Sequence, residues 1–337
     1  MPATPLTSAE YLPFKLDPVA QRVLFVRLDA QQRRAAAFLD ERALPANAQG
    51  GWLPLAAFAA SDVRSERPAD AIFHIGHCGS TLLSRLLESW TEVQALREPL
   101  PLRTLAEAWP LLSEVDSRLA PAQAAQLLQR CWQAWSRPLP GQRRTVIKAT
   151  SSCNGLIEPL LSNFDMRAVL LDMPLRPYLA TLLKSPDSLR DAASAAGERL
   201  RDLHARGYGE GLALHALSLP QQCAMGWLAE RVRFAALAQQ HPGRVLRVDF
   251  EQLLAQPEAE LQRIAAHLQL DAALVPAALQ SPAWGKYSKA QDHGYGREDR
   301  AHDLQLAQQR YAADIAAGED WCHALVQRHP QLASVAA

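Results

Sequence analysis

In Phe73-His74-Ile75-Gly76-His77-Cys78-Gly79-Ser80-Thr81-Leu82-Leu83, glycines and small side chains join a short apolar run to the start of a leucine-rich helix. Main-chain N–H groups left unpaired at such a junction, with the positive end of the helix dipole, form an anion site suited to a phosphate. Gly76, His77, Cys78, Gly79, Ser80 and Thr81 are therefore candidate phosphate-holding residues, and Ser80 and Thr81 add hydroxyl donors without bulk. The stretch departs from the nucleoside-triphosphate loop GxxxxGK[ST]. Ser80 stands at the lysine position and His74 at the first glycine, which disfavours ATP hydrolysis. The same residues also spell an ordinary strand-to-helix turn with a serine or threonine cap.

The elements that position this loop are legible around it. Ala71–Ile75 is a short apolar run, and Thr81–Trp90 is an amphipathic helix with Leu82, Leu83, Leu86 and Leu87 on one side. Further helices are predicted at Leu102–Ser113, Pro121–Trp135, Pro174–Leu183, Ser188–Ala205, Gln221–Gln239, Pro257–Leu268 and Asp299–His329. Short β-rich runs at Arg144–Lys148, Met166–Leu171 and Arg244–Val248 separate them. Five-residue apolar strands alternating with helices predict an α/β fold, a central parallel sheet flanked by helices. Residues 1–68 read as a small accessory segment, with a strand at Val23–Leu28, a helix around Gln31–Arg42, a turn at Asn47–Gly51 and a short helix near Leu53–Ala60. Polar, proline-containing Ser61–Asp70 links it to a main domain over 69–337.

Composition narrows the partners. Thirty-five basic side chains balance 35 acidic ones, so no global field attracts nucleic acid or an anionic membrane, and any polyanion site must be local. Met1–Lys15 shows neither the charged nor the apolar region of a secretory signal, and no apolar run approaches membrane-spanning length; the expected location is the cytoplasm. The five cysteines are widely spaced without a CxxC pair, so reduced, mostly buried thiols are expected. The histidines show no ligand spacing, and no metal site is expected.

HIGHCGSTLLSRLLE resembles the 5′-phosphosulfate-binding loop of PAPS-dependent sulfotransferases, whose pattern (K/R)SG(S/T)T opens a leucine-rich helix. Gly79, Ser80 and Thr81 match; His77 stands at the lysine or arginine position and Cys78 at the serine. The likeness is nearer the tyrosylprotein and Golgi-type branch, in which a glutamate at similar distance after the loop is the catalytic base. Here that residue is Glu98, 21 positions after His77, behind the run Val93–Ala95. A strand beside the first would bring its C-terminal end to the same sheet edge, from which Glu98 can take an acceptor proton.

The segment ending in Lys148 is similar to the family's K(T/D)P strand end, whose lysine faces the transferring group and neutralises charge on it. Ser151, Ser152 and Asn154 are further candidate donors. Ala168–Thr181 resembles the strand, turn and helix that hold the 3′-phosphate, with Asp172 and Ala180 at the family's arginine and serine positions. Arg176 and Thr181, with Arg190 behind them, are expected to supply the donors instead. Arg244–Leu254 resembles a strand-to-helix segment whose Asp249 and Glu251 read as helix-start residues. Trp284-Gly285-Lys286-Tyr287-Ser288-Lys289 occupies the place of the loop that closes over the nucleotide, so Ser288 and Lys289 are candidate phosphate ligands.

The resemblance implies a three-layer P-loop sulfotransferase-like fold in a bacterial protein. Its activity would be sulfuryl transfer from PAPS, leaving PAP, to a hydroxyl or amine of a small-molecule or peptidic acceptor, with Glu98, His77 and Lys148 catalytic. No metal, nucleic acid or membrane is implied. Two other readings stay open: a nucleotide-binding or regulatory protein on the same fold that has lost catalysis, and an ATP-using phosphotransferase.

Overall fold

Five runs of five residues, each carrying apolar side chains and long enough only for strands, hydrogen-bond side by side in a computed structural model that describes residues 5–287 and 290–336. Numbered with three strands that precede them, they are β4 (Asp70–His74), β5 (Val93–Arg97), β6 (Arg144–Lys148), β7 (Ala168–Asp172) and β8 (Val245–Asp249). Their order is β5-β6-β4-β7-β8 and every pairing is parallel. Helices cover both faces, which is why the four strands from β4 to β7 are buried at every position. From β4 the chain runs to one side for β5 and β6, then crosses to the other for β7 and β8. The C-terminal end of β4 is therefore a topological switch point, where open α/β sheets leave a crevice.

The register fixes which side chains share that edge. Ile72 of β4 and Arg97 of β5 both lie opposite Lys148, while Asp172 lies opposite Asp249. Predicted strand positions hold for β6, and for β7 and β8 the strands end one residue later than expected. Pro121–Trp135 and Pro257–Leu268 form the helices predicted, each opened by a proline in its first turn.

The accessory segment differs more. Its strands are β1 (Tyr11–Asp17), β2 (Arg22–Arg27) and β3 (Gly50–Pro54), an antiparallel sheet in that order. β1 escapes a sequence reading because Pro13 interrupts it, a residue tolerated here because β1 is an edge strand with a bulge between Pro13 and Lys15. β3 reads as a turn through Gly50-Gly51. Those glycines instead permit close approach to β2: a Cβ on Gly50 would lie 2.0 Å from the Phe25 carbonyl oxygen. The predicted helix around Gln31–Arg42 shrinks to Ala30–Ala35, because the following chain runs alongside β5 and Leu39 N–H donates to the Arg97 carbonyl at 2.7 Å. Arg33 Nη1 reaches Gln94 at 2.7 Å and Trp135 Nε1 reaches the Pro13 carbonyl at 3.1 Å, and one buried apolar cluster runs from Leu12 to Leu332.

Toward the C-terminus, the segment read as a loop contains two antiparallel strands, β9 (Lys286–Tyr287) and β10 (Ala290–Gly294), and the long final helix is two, Arg297–Arg310 and Ala312–Arg328. No glycine or proline marks that break; Tyr311 leaves helical geometry with φ −109°. All five cysteines are free and buried. No helix among the described residues is long and apolar enough to cross a membrane.

Candidate functional site

Between β4 and the helix Ser80–Leu86 the loop turns left-handed three times, at Gly76 (φ 95°), His77 (φ 55°) and Gly79 (φ 72°). Turns of this kind can gather neighbouring amides on one side as a nest for an anion. Among the described residues, no main-chain carbonyl receives the amides of Cys78, Gly79, Ser80 or Thr81. The helix has only seven residues, so the cradle rests on these amides more than on a helix dipole. Gly76 acts differently from expectation: its amide donates to His74 Nδ1 at 2.9 Å, so what it brings is conformation. Cys78 likewise offers only its amide. Its thiol is buried, donates to the Leu171 carbonyl at 3.2 Å and is pushed up by burial to about 12. Ser80 and Thr81 are buried beside it, and His77 is exposed at the rim.

His74 is a site residue that the sequence does not announce. Nδ1 accepts from Gly76, so Nε2 carries the hydrogen and donates to the Ala149 carbonyl at 3.0 Å. The ring thereby ties the phosphate loop to the end of β6. Phe250 is another. A Cβ on Gly79 would lie 2.0 Å from its ring, so only glycine fits at 79, both for space and for φ. Gly79→Ala is expected to lose roughly 2–4 kcal/mol, from an enforced left-handed alanine plus overpacking. Gly207, at φ +81° with open space around it, isolates the backbone part. Thermal unfolding should show Gly79→Ala well below Gly207→Ala; equal losses would mean that Phe250 yields.

The predicted acid and lysine meet. Glu98 follows β5 in a left-handed conformation (φ 51°), and its amide donates to the Lys148 carbonyl at 2.6 Å. That bend turns the carboxylate along the sheet edge, where Oε1 pairs with Lys148 Nζ and Oε2 receives Thr150 Oγ1 at 3.5 Å. Lys148 is buried and the Glu98 side chain is 17% exposed, so the pair opens to solvent from the acid's side. Among the described residues only four non-glycine residues have positive φ, and His77 and Glu98 are two of them. Bulky side chains held there mark positions that the surroundings over-determine. Asn154 is a correction: its Nδ2 is buried between the His74 carbonyl at 3.0 Å and Glu230 at 2.9 Å, so it braces the loop from beneath.

Beyond β4, the chain resolves the charge at Asp172 in a way no local pattern shows. Its Oδ2 accepts from Arg247 Nη2 at 2.8 Å, and Arg231 Nε stands 3.6 Å away. Arg231 comes from the helix Leu219–Gln240 and stacks over Trp227 at 4.8 Å. Its Nε and Nη1, and Nε of Arg247, are buried without hydrogen-bond partners. Arg176 pairs with Glu319 at 2.5 Å on an exposed surface, Arg190 pairs with Asp187 at 3.1 Å, and Thr181 Oγ1 donates to its own helix at Pro177. Asp249 caps the helix Phe250–Ala255, and Glu251 pairs with Arg300, which lies 5.0 Å over the Phe250 ring. Ser288 and Lys289 lie outside the described residues.

Three solved structures show how far the likeness to known proteins extends. A sulfotransferase domain from the curacin biosynthetic pathway is 13% identical with a TM-score of 0.42, covering 74% of this chain and 99% of that one. A Mycobacterium tuberculosis sulfotransferase is 15% identical (TM-score 0.40; 75% and 78% covered), and a mouse sulfotransferase solved with PAP is 10% identical (TM-score 0.41; 84% and 94% covered). No curated protein matches the chain. The profile described as "Sulfotransferase family" matches residues 72–273, from inside β4 through the phosphate loop, Glu98, Lys148 and β8. That match covers more than half of the chain and takes in each element of the cradle, and by it the chain belongs to the sulfotransferase family.

Proposed function

We propose that the protein transfers a sulfuryl group from PAPS to a hydroxyl, or less readily an amine, of a small-molecule or peptidic acceptor. The observation that carries this reading is the Glu98–Lys148 pair at the same sheet edge as a loop with four amides that, among the described residues, no main-chain carbonyl receives. PAPS, when bound, supplies the activated sulfuryl group. The amides of Cys78, Gly79, Ser80 and Thr81, with His77, hold its phosphosulfate end. Glu98 takes the acceptor proton, and Lys148, already its ion partner, carries the negative charge of the transferring oxygens.

A 3′-phosphate requires positive charge, and Asp172 by itself would repel it. Arg231 and Arg247 fit this need: together they offset Asp172 and its neighbour Asp249, and both hold buried donors without partners that an anion could take. Calorimetric titration of the full chain with PAP, AMP and ATP tests the reading. PAP should bind tightest, and Arg247→Gln should weaken PAP roughly ten- to hundredfold, the equivalent of one charge-assisted hydrogen bond, while leaving AMP unchanged. A preference for ATP, or equal loss for PAP and AMP, would sink it.

A further inference from the structure

At the end of the central sheet opposite Glu98, residues 64–68, the turn 136–138 and the start of β6 enclose a cavity of about 260 Å³. Arg64, Arg67, Arg137, Arg143 and Arg144 line it, against Glu66 as the acid of the lining. Three acids nearby, Asp62, Asp70 and Glu92, offset this charge only in part; Glu92 acts on Arg144, and its main-chain carbonyl takes the amides of Arg143 and Arg144. Asp62 meets Arg64 at 2.6 Å between exposed side chains, where pairing contributes little. Asp70 is shared by Arg144 at 2.7 Å and Arg67 at 3.5 Å, and its other oxygen already accepts the Arg167 amide. Arg137 gives Nη1 and Nη2 to the carbonyls of Leu6 and Ser8, which bring no negative charge. Arg143 is exposed and has no ion-pair partner among the described residues.

The excess charge sits in partly dry surroundings. Burial lowers the pKa of Arg137; for Arg144 burial outweighs the pull of Asp70, and the nearby Arg67 acts in the same direction as burial. Arg144 Nε is buried without a hydrogen-bond partner. Like charges gathered away from water repel until an anion answers them. The walls are braced: Ser136 Oγ accepts the Ala69 amide at 2.8 Å, and Gln133 accepts the Ser65 amide at 2.7 Å.

We propose that this cavity is a second anion site, separate from the phosphate loop, which takes a compact phosphate-class polyanion such as pyrophosphate or a phosphate monoester. A guanidinium fork grips two oxygens at a time, and a phosphate group, with more oxygens and more charge than a carboxylate, can answer several of these arginines at once. β4 and β6 begin beside the cavity and end at His74 and Lys148, so an occupant would clamp the starts of two strands whose far ends, roughly 15 Å away, carry the proposed chemistry.

The test has two arms. Crystals of the full chain soaked in molybdate should show an anomalous peak inside the cavity. Calorimetry with pyrophosphate at constant ionic strength should show about tenfold weaker binding in Arg143→Glu, with Arg143→Gln intermediate. Arg143 is exposed, so neither substitution disturbs the core. Lys148→Met, which alters only the other end of β6, should leave the cavity's binding intact. A peak confined to the phosphate loop, or unchanged affinity in Arg143→Glu, overturns the proposal.

Discussion

Glu98→Gln should lower sulfuryl transfer from PAPS by roughly 10²- to 10⁴-fold, the usual contribution of a positioned general base, while PAP binding stays nearly unchanged. Glutamine keeps one oxygen for Lys148 Nζ and turns its amide N–H toward Thr150, whose hydroxyl can accept instead of donate, so the side chain keeps its place while the proton acceptor and its negative charge are lost. The fall should lie in kcat, because no part of the nucleotide cradle is altered. Radiolabelled PAPS offered to a panel of alcohols, phenols, amines and tyrosyl peptides measures it. Parent activity retained in Glu98→Gln would remove this residue from the chemistry. No turnover by the parent on any acceptor, with tight PAP binding, would favour the nucleotide-binding reading.

Glu230→Gln is expected to cost about 3–5 kcal/mol of folding stability, because it leaves buried cations without their counter-charge. Glu230 is buried on the helix Leu219–Gln240. Its Oε1 accepts from Arg199 Nε at 3.2 Å and Arg233 Nη1 at 3.1 Å, and its Oε2 from Asn154 Nδ2 at 2.9 Å. Burial alone would lower the pKa of Arg233; Glu230, Glu198 and Asp202 together reverse that and hold it above the ordinary arginine range. Removing one of those three carboxylates exposes the burial penalty. Urea unfolding should show a lower midpoint with an unchanged slope. Because Asn154 links Glu230 to the His74 carbonyl, PAP affinity should fall as well. A loss below about 1 kcal/mol, the range of an exposed pair, would show that water reaches the cluster and the stated mechanism is wrong.

The two predictions differ in how far the sequence anticipates them. Lys148 ends the five-residue strand β6 and Glu98 directly follows the five-residue strand β5, so strand length brings both residues to one sheet edge. Glu230, Arg199 and Arg233 carry no such mark. Glu230 and Arg233 sit on the helix Leu219–Gln240, buried along much of its length, and Arg199 on the helix Pro186–Ala205; read locally all three look like ordinary charged residues, and Asn154, the further partner of Glu230, stands 76 positions away. Arg231 and Arg247 are equally silent, since their role depends on which strand lies beside β7.

Local patterns were enough to specify the α/β class and to mark the glycine-bearing bend, while the resemblance, carried by the motifs around it, singled out Glu98 and Lys148. Glycine spacing, proline at helix starts and the length of apolar runs act over a few residues and survive without long-range contacts. Strand order and helix packing alone decided that Cys78 turns its thiol into the core, that Arg176 faces Glu319, and that two arginines from distant segments answer Asp172. Those outcomes rest on electrostatic and packing contacts between residues far apart in the chain, and such neighbours exist only once the sheet has assembled.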